Sequence, residues 1–142
     1  MFKNSLNFIL SLALFMASTT SWAKKCDLEF KKLKICGTIQ WTKIPHAVEM
    51  ITPKDAAEMT IELSNLDQRR LELPKDLEMS VKPTMPSMGG HGTEPTRVSQ
   101  SGAAKFQIHE IFLSMSGQWK FQVKLKKQDR ELDQAFWIYE LK

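Results

Sequence analysis

The feature that most constrains this chain is an alternation of apolar and polar residues with a period of two. Residues 38–44, 59–63, 77–82 and 119–125 show it, and several of these runs end at turn-forming residues such as Pro45 and Pro83. A period of two places successive side chains on opposite faces of an extended strand. The pattern therefore predicts half-buried β-strands rather than helices.

Three further segments complete the predicted set of strands. Residues 106–113 and 134–141 are rich in apolar and aromatic side chains, and residues 97–100 can form a short strand between turns. Residues 52–58 are either a helix with Pro53 in its first turn or a loop, and residues 66–75 are either a short edge strand or a long loop. About seven short strands predict an all-β fold, a small antiparallel β-sandwich of immunoglobulin-like type.

Residues 1–23 have the pattern of a secretory signal peptide. Lys3 precedes an apolar run at residues 8–17, and small residues ending at Ala23 follow it. The run is shorter than the roughly 20 residues of a membrane-spanning helix, and no later segment is apolar enough to span a bilayer. We expect residues 24–142 to form a single exported domain, periplasmic or otherwise secreted, with no stable membrane span after cleavage.

The charge of the chain is mildly positive. The formal net charge is +4 at pH 7, and removal of Lys3 with the leader lowers it by one, to +3. The lysines cluster near both ends of the predicted domain without interleaved aromatic residues or a groove-binding helix. Nucleic acid is therefore not an expected partner.

Cys26 and Cys36 both lie in the predicted exported domain, where thiols are normally oxidised. We expect a disulfide between them. One alternative is a copper thiolate pair, although the spacing is wider than that of C-x-x-C motifs. The other is a lipidated Cys26, although Lys25 rather than a small residue precedes it.

The sequence "MPSMGGHG", residues 85–92, brings soft metal donors together in one loop. Met85 and Met88 supply thioethers and His91 an imidazole. Thioethers select Cu(I), need no deprotonation, and are not consumed by disulfide formation in an oxidising compartment. Methionines also fill irregular gaps in cores, but a loop rich in proline and glycine is expected to be exposed. The loop predicts a Cu(I) site with accessible sulfur donors.

The direction of the chain adds Met115 to this site. If residues 97–100 form a strand joined to its neighbours by simple antiparallel hairpins, the turn at residues 114–117 lies at the same end of the sandwich as Met85. If those residues form a loop, Met115 lies at the far end. The predicted ligands are thus Met85, Met88, His91 and Met115, with His109 as a further candidate that also fits a structural or surface role.

The methionine loop and the later stretch "FLSMSGQWKFQVKL" together resemble the YtkA-like domain family, exported copper-handling β-sandwiches of the FixH/YtkA type. The resemblance covers residues 55–126, with one more glycine before the histidine than the commonest form of the motif. It implies a copper-binding sandwich, a Cu(I) carrier or metallochaperone in copper homeostasis or cytochrome oxidase assembly. It also implies a copper donor or acceptor protein as partner, possibly an oxidase assembly factor. The matching residues are Met85, Pro86, Met88, His91 and Gly92 in the loop, and Met115, Gly117 and Trp119 in the later turn.

Two other classes of function are alternatives to copper binding. A metal-free interaction module could use the methionine-rich loop as an adaptable contact surface. An enzyme is not expected, because the sequence has no nucleophile elbow, no paired-histidine zinc motif and no phosphate-binding loop.

Overall fold

The structure, a computed structural model, describes residues 25–47, 52–67, 71–90, 92 and 96–142. The predicted signal peptide at residues 1–23 and the predicted ligand His91 lie outside these residues. Within them the chain is all-β, as the alternation predicts, and no helix is long and apolar enough to cross a membrane.

The described residues form eight strands and two short 3₁₀-helices, Pro53–Asp55 and Pro86–Met88. The strands are β1 Leu28–Phe30, β2 Ile35–Lys43, β3 Ala57–Asn65, β4 Glu78–Thr84, β5 Arg97–Gly102, β6 Lys105–Ile111, β7 Gly117–Lys127 and β8 Arg130–Leu141.

The strands pair into two antiparallel sheets that form a small β-sandwich. The larger sheet has the order β1-β2-β3-β6-β5, and the smaller has the order β4-β7-β8. β4 and β5 therefore lie in different sheets, so the simple hairpin assumed between them is wrong. The chain crosses between the sheets after β3, after β4 and after β6. The crossings after β4 and β6 lie at the same end of the sandwich, because β4 ends and β7 begins there, with Thr84 opposite Lys120.

The core lies between the sheets and follows the predicted alternation. β7 shows it most clearly, since every second side chain from Trp119 to Leu125 is buried. Each fully buried apolar side chain of this size stabilises the fold by about 1.5–3 kcal/mol.

The observed elements differ from the predicted ones where the periodic signal is short. β1 was not predicted, because three residues are too few to show a period of two. Residues 52–58 form one 3₁₀ turn and then the start of β3, because Ala57 pairs with Ile111 in the sheet. The described part of the polar connection at residues 66–75 contains no strand.

Asp133 joins the two sheets along one side. Its side chain is buried, and its Oδ2 atom accepts hydrogen bonds from the backbone N–H groups of Lys32, at 2.7 Å, and Leu33, at 3.0 Å. Its Oδ1 atom accepts a hydrogen bond from the Gln134 N–H at 2.8 Å. A strand of the smaller sheet thus holds the turn between β1 and β2.

Four aromatic rings pack together on the same side of the sandwich as Asp133, but nearer the opposite end. Trp41 on β2 lies 5.9 Å from Trp137 and 5.2 Å from Tyr139, both on β8, between ring centroids. Phe121 completes the group, 6.1 Å from Trp41. Rings at these separations and tilted angles attract each other beyond the area that they bury.

Candidate metal centre

The methionine loop leaves β4 and returns to it. A backbone bridge pairs Thr84 with Gly92, and the backbone N–H and hydroxyl of Thr96 donate to the Val81 carbonyl oxygen at 3.2 Å and 2.9 Å. The chain that leaves at Met85 is therefore tied back to the strand at both points. The described part of the loop is one 3₁₀ turn, Pro86–Met88, ended by Gly89 in a left-handed conformation with φ of 65°.

Met85 lies in the core, contrary to the expectation that all the loop sulfurs are accessible. Only 5% of its surface is exposed. Its Cε methyl group packs against Gly117, where a Cβ atom would lie 3.0 Å from it. Met85 has an extended backbone and continues the alternation of β4, since Val81, Pro83 and Met85 all face inward. The sequence contained this signal, but it was hidden because the two prolines suggested that the strand had ended.

Met88 and Met115 are the accessible thioethers among the described residues. Met88 is 48% exposed and Met115 is 42% exposed, whereas Met59 and Met79 are buried. The turn that carries Met115 is fixed because the Trp119 Nε1–H donates to the Met115 carbonyl oxygen at 3.0 Å. Large apolar side chains that stay this exposed gain little from packing.

The structure places Met115 at the same end of the sandwich as the methionine loop. Residues 97–102 do form a strand, β5, on which this placement depended. Gly117, two residues after Met115, contacts the Met85 methyl group. Two segments about thirty residues apart thus present one buried and two half-exposed thioethers at one end of the fold.

His109 already contacts two other polar side chains. Its Nε2 atom lies 3.0 Å from the Ser99 hydroxyl oxygen, and its Nδ1 atom lies 3.5 Å from a carboxylate oxygen of Glu58. Its strand neighbour Ile108 is buried, so His109 lies on the outer face of the larger sheet rather than between the sheets. Metal binding by His109 would require one of these contacts to break.

His46 is also paired, with its Nε2 atom 3.6 Å from the Asp55 carboxylate. Hydrogen bonds from the Thr52 hydroxyl and backbone N–H hold the pKa of Asp55 below its ordinary value, and His46 lowers it further. His46 therefore already has a surface partner, the Asp55 carboxylate.

The remaining metal donors do not form a site by themselves. Among the described residues, no group of three or more His, Cys, Asp or Glu side chains could hold a metal ion. Both cysteines are consumed by the predicted disulfide, in which the Cα atoms of Cys26 and Cys36 are 5.5 Å apart. A soft metal at this end of the molecule would therefore depend on the thioethers.

Comparison of the chain with family models, with curated proteins and with solved structures finds no match. The resemblance to the YtkA-like family thus stays a prediction carried by its motif residues.

Proposed function

We propose that this protein is an exported Cu(I)-binding protein with its site at the methionine end of the sandwich. The observation that carries the proposal is the placement of Met88 and Met115. Both are half-exposed, they come from separate segments, and the buried Met85 lies at the same end. His91, in the same loop, supplies the fourth donor.

The donor set selects the metal. Thioethers and one imidazole favour Cu(I), while hard cations such as Ca²⁺ and Mg²⁺ prefer oxygen ligands. Met85 is already held by core packing, so little side-chain freedom is lost when it becomes a ligand. Met88 and Met115 close the site from the solvent side.

The exposure of two donors suits transfer of the ion. A ligand of an acceptor protein can approach Cu(I) from the solvent side while Met88 or Met115 leaves. The protein then acts as a carrier or metallochaperone between a copper donor and a copper acceptor, in copper homeostasis or in the assembly of cytochrome oxidase.

A location outside the cytoplasm is consistent with this role. The disulfide between Cys26 and Cys36 is expected of an oxidising environment outside the cytoplasm. We place the protein in the periplasm, or secreted, after removal of residues 1–23. Thioethers remain available there, whereas free thiolates would be oxidised.

A metal-free interaction module is the second candidate. The packing of Met85 in the core favours it, because a core methionine needs no metal to explain its position. Met88 and Met115 would then form an adaptable apolar contact surface for a partner protein.

Titration of the mature protein with Cu(I) against a competing chelator distinguishes the two candidates. We expect Met88→Ala and Met115→Ala each to weaken Cu(I) binding by about tenfold or more, because losing even a side chain that only hydrogen-bonds to a metal ligand costs about 10–100-fold. His91→Ala is expected to do the same.

Two exposed residues outside the proposed set of donors serve as controls. Ile138→Ala removes an apolar side chain of equal exposure, 48%, and His46→Ala removes a histidine paired with Asp55. Both should leave Cu(I) affinity unchanged. Failure of the wild-type protein to compete with the chelator, or equal affinity in Met88→Ala and Ile138→Ala, would remove the copper proposal and favour the interaction module.

A further inference from the structure

Three polar side chains from three strands line up on the outer face of the larger sheet. The Ser99 hydroxyl oxygen lies 3.0 Å from His109 Nε2, and a Glu58 carboxylate oxygen lies 3.5 Å from His109 Nδ1. Ser99 is exposed on the edge strand β5, and the His109 side chain is 16% exposed. A hydroxyl, an imidazole and a carboxylate in this order are the components of an activated nucleophile.

The register of the sheet produces the first contact. β5 and β6 pair with Arg97 opposite His109 and Ser99 opposite Gln107. Ser99 is therefore the diagonal neighbour of His109 on the same face, which is within reach of a long side chain.

A β-bulge produces the second contact. Ala57 pairs with Ile111 and Met59 with Ile108, so His109 and Glu110 together oppose the single residue Glu58. Glu110 takes a left-handed conformation with φ of 60°, which is costly for a residue with a side chain. Bulges of this kind redirect side chains and are frequent beside active sites.

The order of the contacts fixes which nitrogen can act as a base. A carboxylate at Nδ1 favours the tautomer in which Nδ1 carries the proton and Nε2 is free to accept one. Nε2 is the atom that faces the Ser99 hydroxyl. Arg97, two residues before Ser99 on the same strand face, forms an ion pair with Glu110, its Nε atom 3.3 Å from a carboxylate oxygen.

We propose that Ser99 is a nucleophile for acyl transfer from activated esters, with His109 as general base and Glu58 as the positioning residue. Ser99 Oγ bonds to the ester carbonyl carbon while its proton passes to His109 Nε2. The bond to the leaving alcohol then breaks, and the alcohol takes that proton from His109. Water then gives a proton to His109 Nε2 while its oxygen bonds to the acyl carbon. The bond from that carbon to Ser99 Oγ breaks, and Oγ takes the proton from His109, which releases a carboxylic acid and restores the serine hydroxyl. This activity is independent of the proposed copper site.

Ser101 provides an internal control in the same strand. It is also exposed, but its hydroxyl donates to the Lys105 carbonyl oxygen at 3.4 Å, and it contacts no histidine among the described residues. A merely exposed serine would behave like Ser101.

A fluorophosphonate probe tests the proposal on the copper-free mature protein, because a nucleophilic serine displaces its fluoride and forms a stable ester. Peptide mass spectrometry should locate the adduct on Ser99 and not on Ser101. Ser99→Ala should abolish labelling, and Ser101→Ala should leave its rate unchanged. His109→Gln, which keeps a polar group beside the hydroxyl, should slow labelling by about a hundredfold, the usual contribution of a general base.

A test of Glu58 needs a measurement whose result would not change if Glu58 only supported the fold. Glu58→Gln should slow the labelling of Ser99, and Glu58→Asp, which keeps a carboxylate beside His109, should recover part of the lost rate. Unfolding in urea verifies that each variant is folded. Labelling of Ser99 no faster than Ser101, or a rate unaffected by His109→Gln, would overturn the proposal whatever the result of the Cu(I) titration.

Discussion

At the scale of single residues, Met85 and Met88 show how position decides the role of a side chain. They are three residues apart in one loop, yet Met85 is 5% exposed and Met88 is 48% exposed. Met85 still has the extended backbone of β4 and points into the core, whereas Met88 ends the 3₁₀ turn that follows. The loop therefore carries one thioether that is held in the core, that of Met85, and one that is half-exposed at the surface, that of Met88.

Gly92 is predicted to be necessary for the closure of this loop. A Cβ atom at Gly92 would lie 2.6 Å from the Pro83 carbonyl oxygen and 2.9 Å from Thr84 Cγ2, closer than such atoms can approach. We expect Gly92→Ala to open the Thr84–Gly92 bridge and lower the free energy of unfolding by about 1–3 kcal/mol. Urea denaturation measures this change.

The matched control is Gly102→Ala, at which a Cβ atom would meet only Lys105 Cβ at an ordinary 3.5 Å. A stability loss in Gly92→Ala no larger than that of Gly102→Ala would contradict this account of the loop.

At the scale of elements, β5 has a weak sequence signal and large consequences for the proposed sites. Its side chains are nearly all exposed, so it shows little apolar alternation. Pairing with β6 holds it in place, and this pairing brings Ser99 to His109. Because β5 is a strand, the chain runs in the direction that places Met115 at the same end of the sandwich as the methionine loop.

Asp133 is predicted to be the main polar connection between β8 and the turn after β1. Asp133→Ala leaves the N–H groups of Lys32 and Leu33 without this acceptor, and hydrogen bonds to a charged group contribute about 1.5–3 kcal/mol. We expect the free energy of unfolding to fall by about 2–3 kcal/mol in a urea denaturation experiment.

Asp133→Asn keeps one side-chain oxygen acceptor and should lose less stability than Asp133→Ala. Gln134→Ala, at an exposed neighbouring position, should be close to neutral. Equal effects of Asp133→Ala and Gln134→Ala would exclude a structural role for the carboxylate.

At the scale of the whole molecule, the two sheets are joined along both sides of the sandwich. Asp133 and the aromatic group around Trp41 connect β8 with β1 and β2 on one side. The hydrogen bonds from Thr96 to Val81 connect β5 with β4 on the other. The disulfide closes the first strand pair, toward the end of the sandwich opposite Met115.

Removal of the disulfide is predicted to destabilise the fold without altering the proposed copper site. In the chain-entropy model, a closed loop of about ten residues stabilises the native state by about 2.5–3 kcal/mol. We expect the Cys26→Ala, Cys36→Ala double variant to lose this amount in urea denaturation and to retain Cu(I) affinity. A loss of Cu(I) binding in the folded double variant would show that the two ends are coupled.

The sequence by itself determined most of the strands, their inward and outward faces, and the cysteine pair. These follow from a period of two and from the redox compartment, both of which can be read without knowing which strands are neighbours. Only the tertiary structure decided that β4 and β5 lie in different sheets and that Glu58 meets His109. Such contacts depend on register, bulges and sheet partners, and residues distant along the chain carry no local pattern that specifies them.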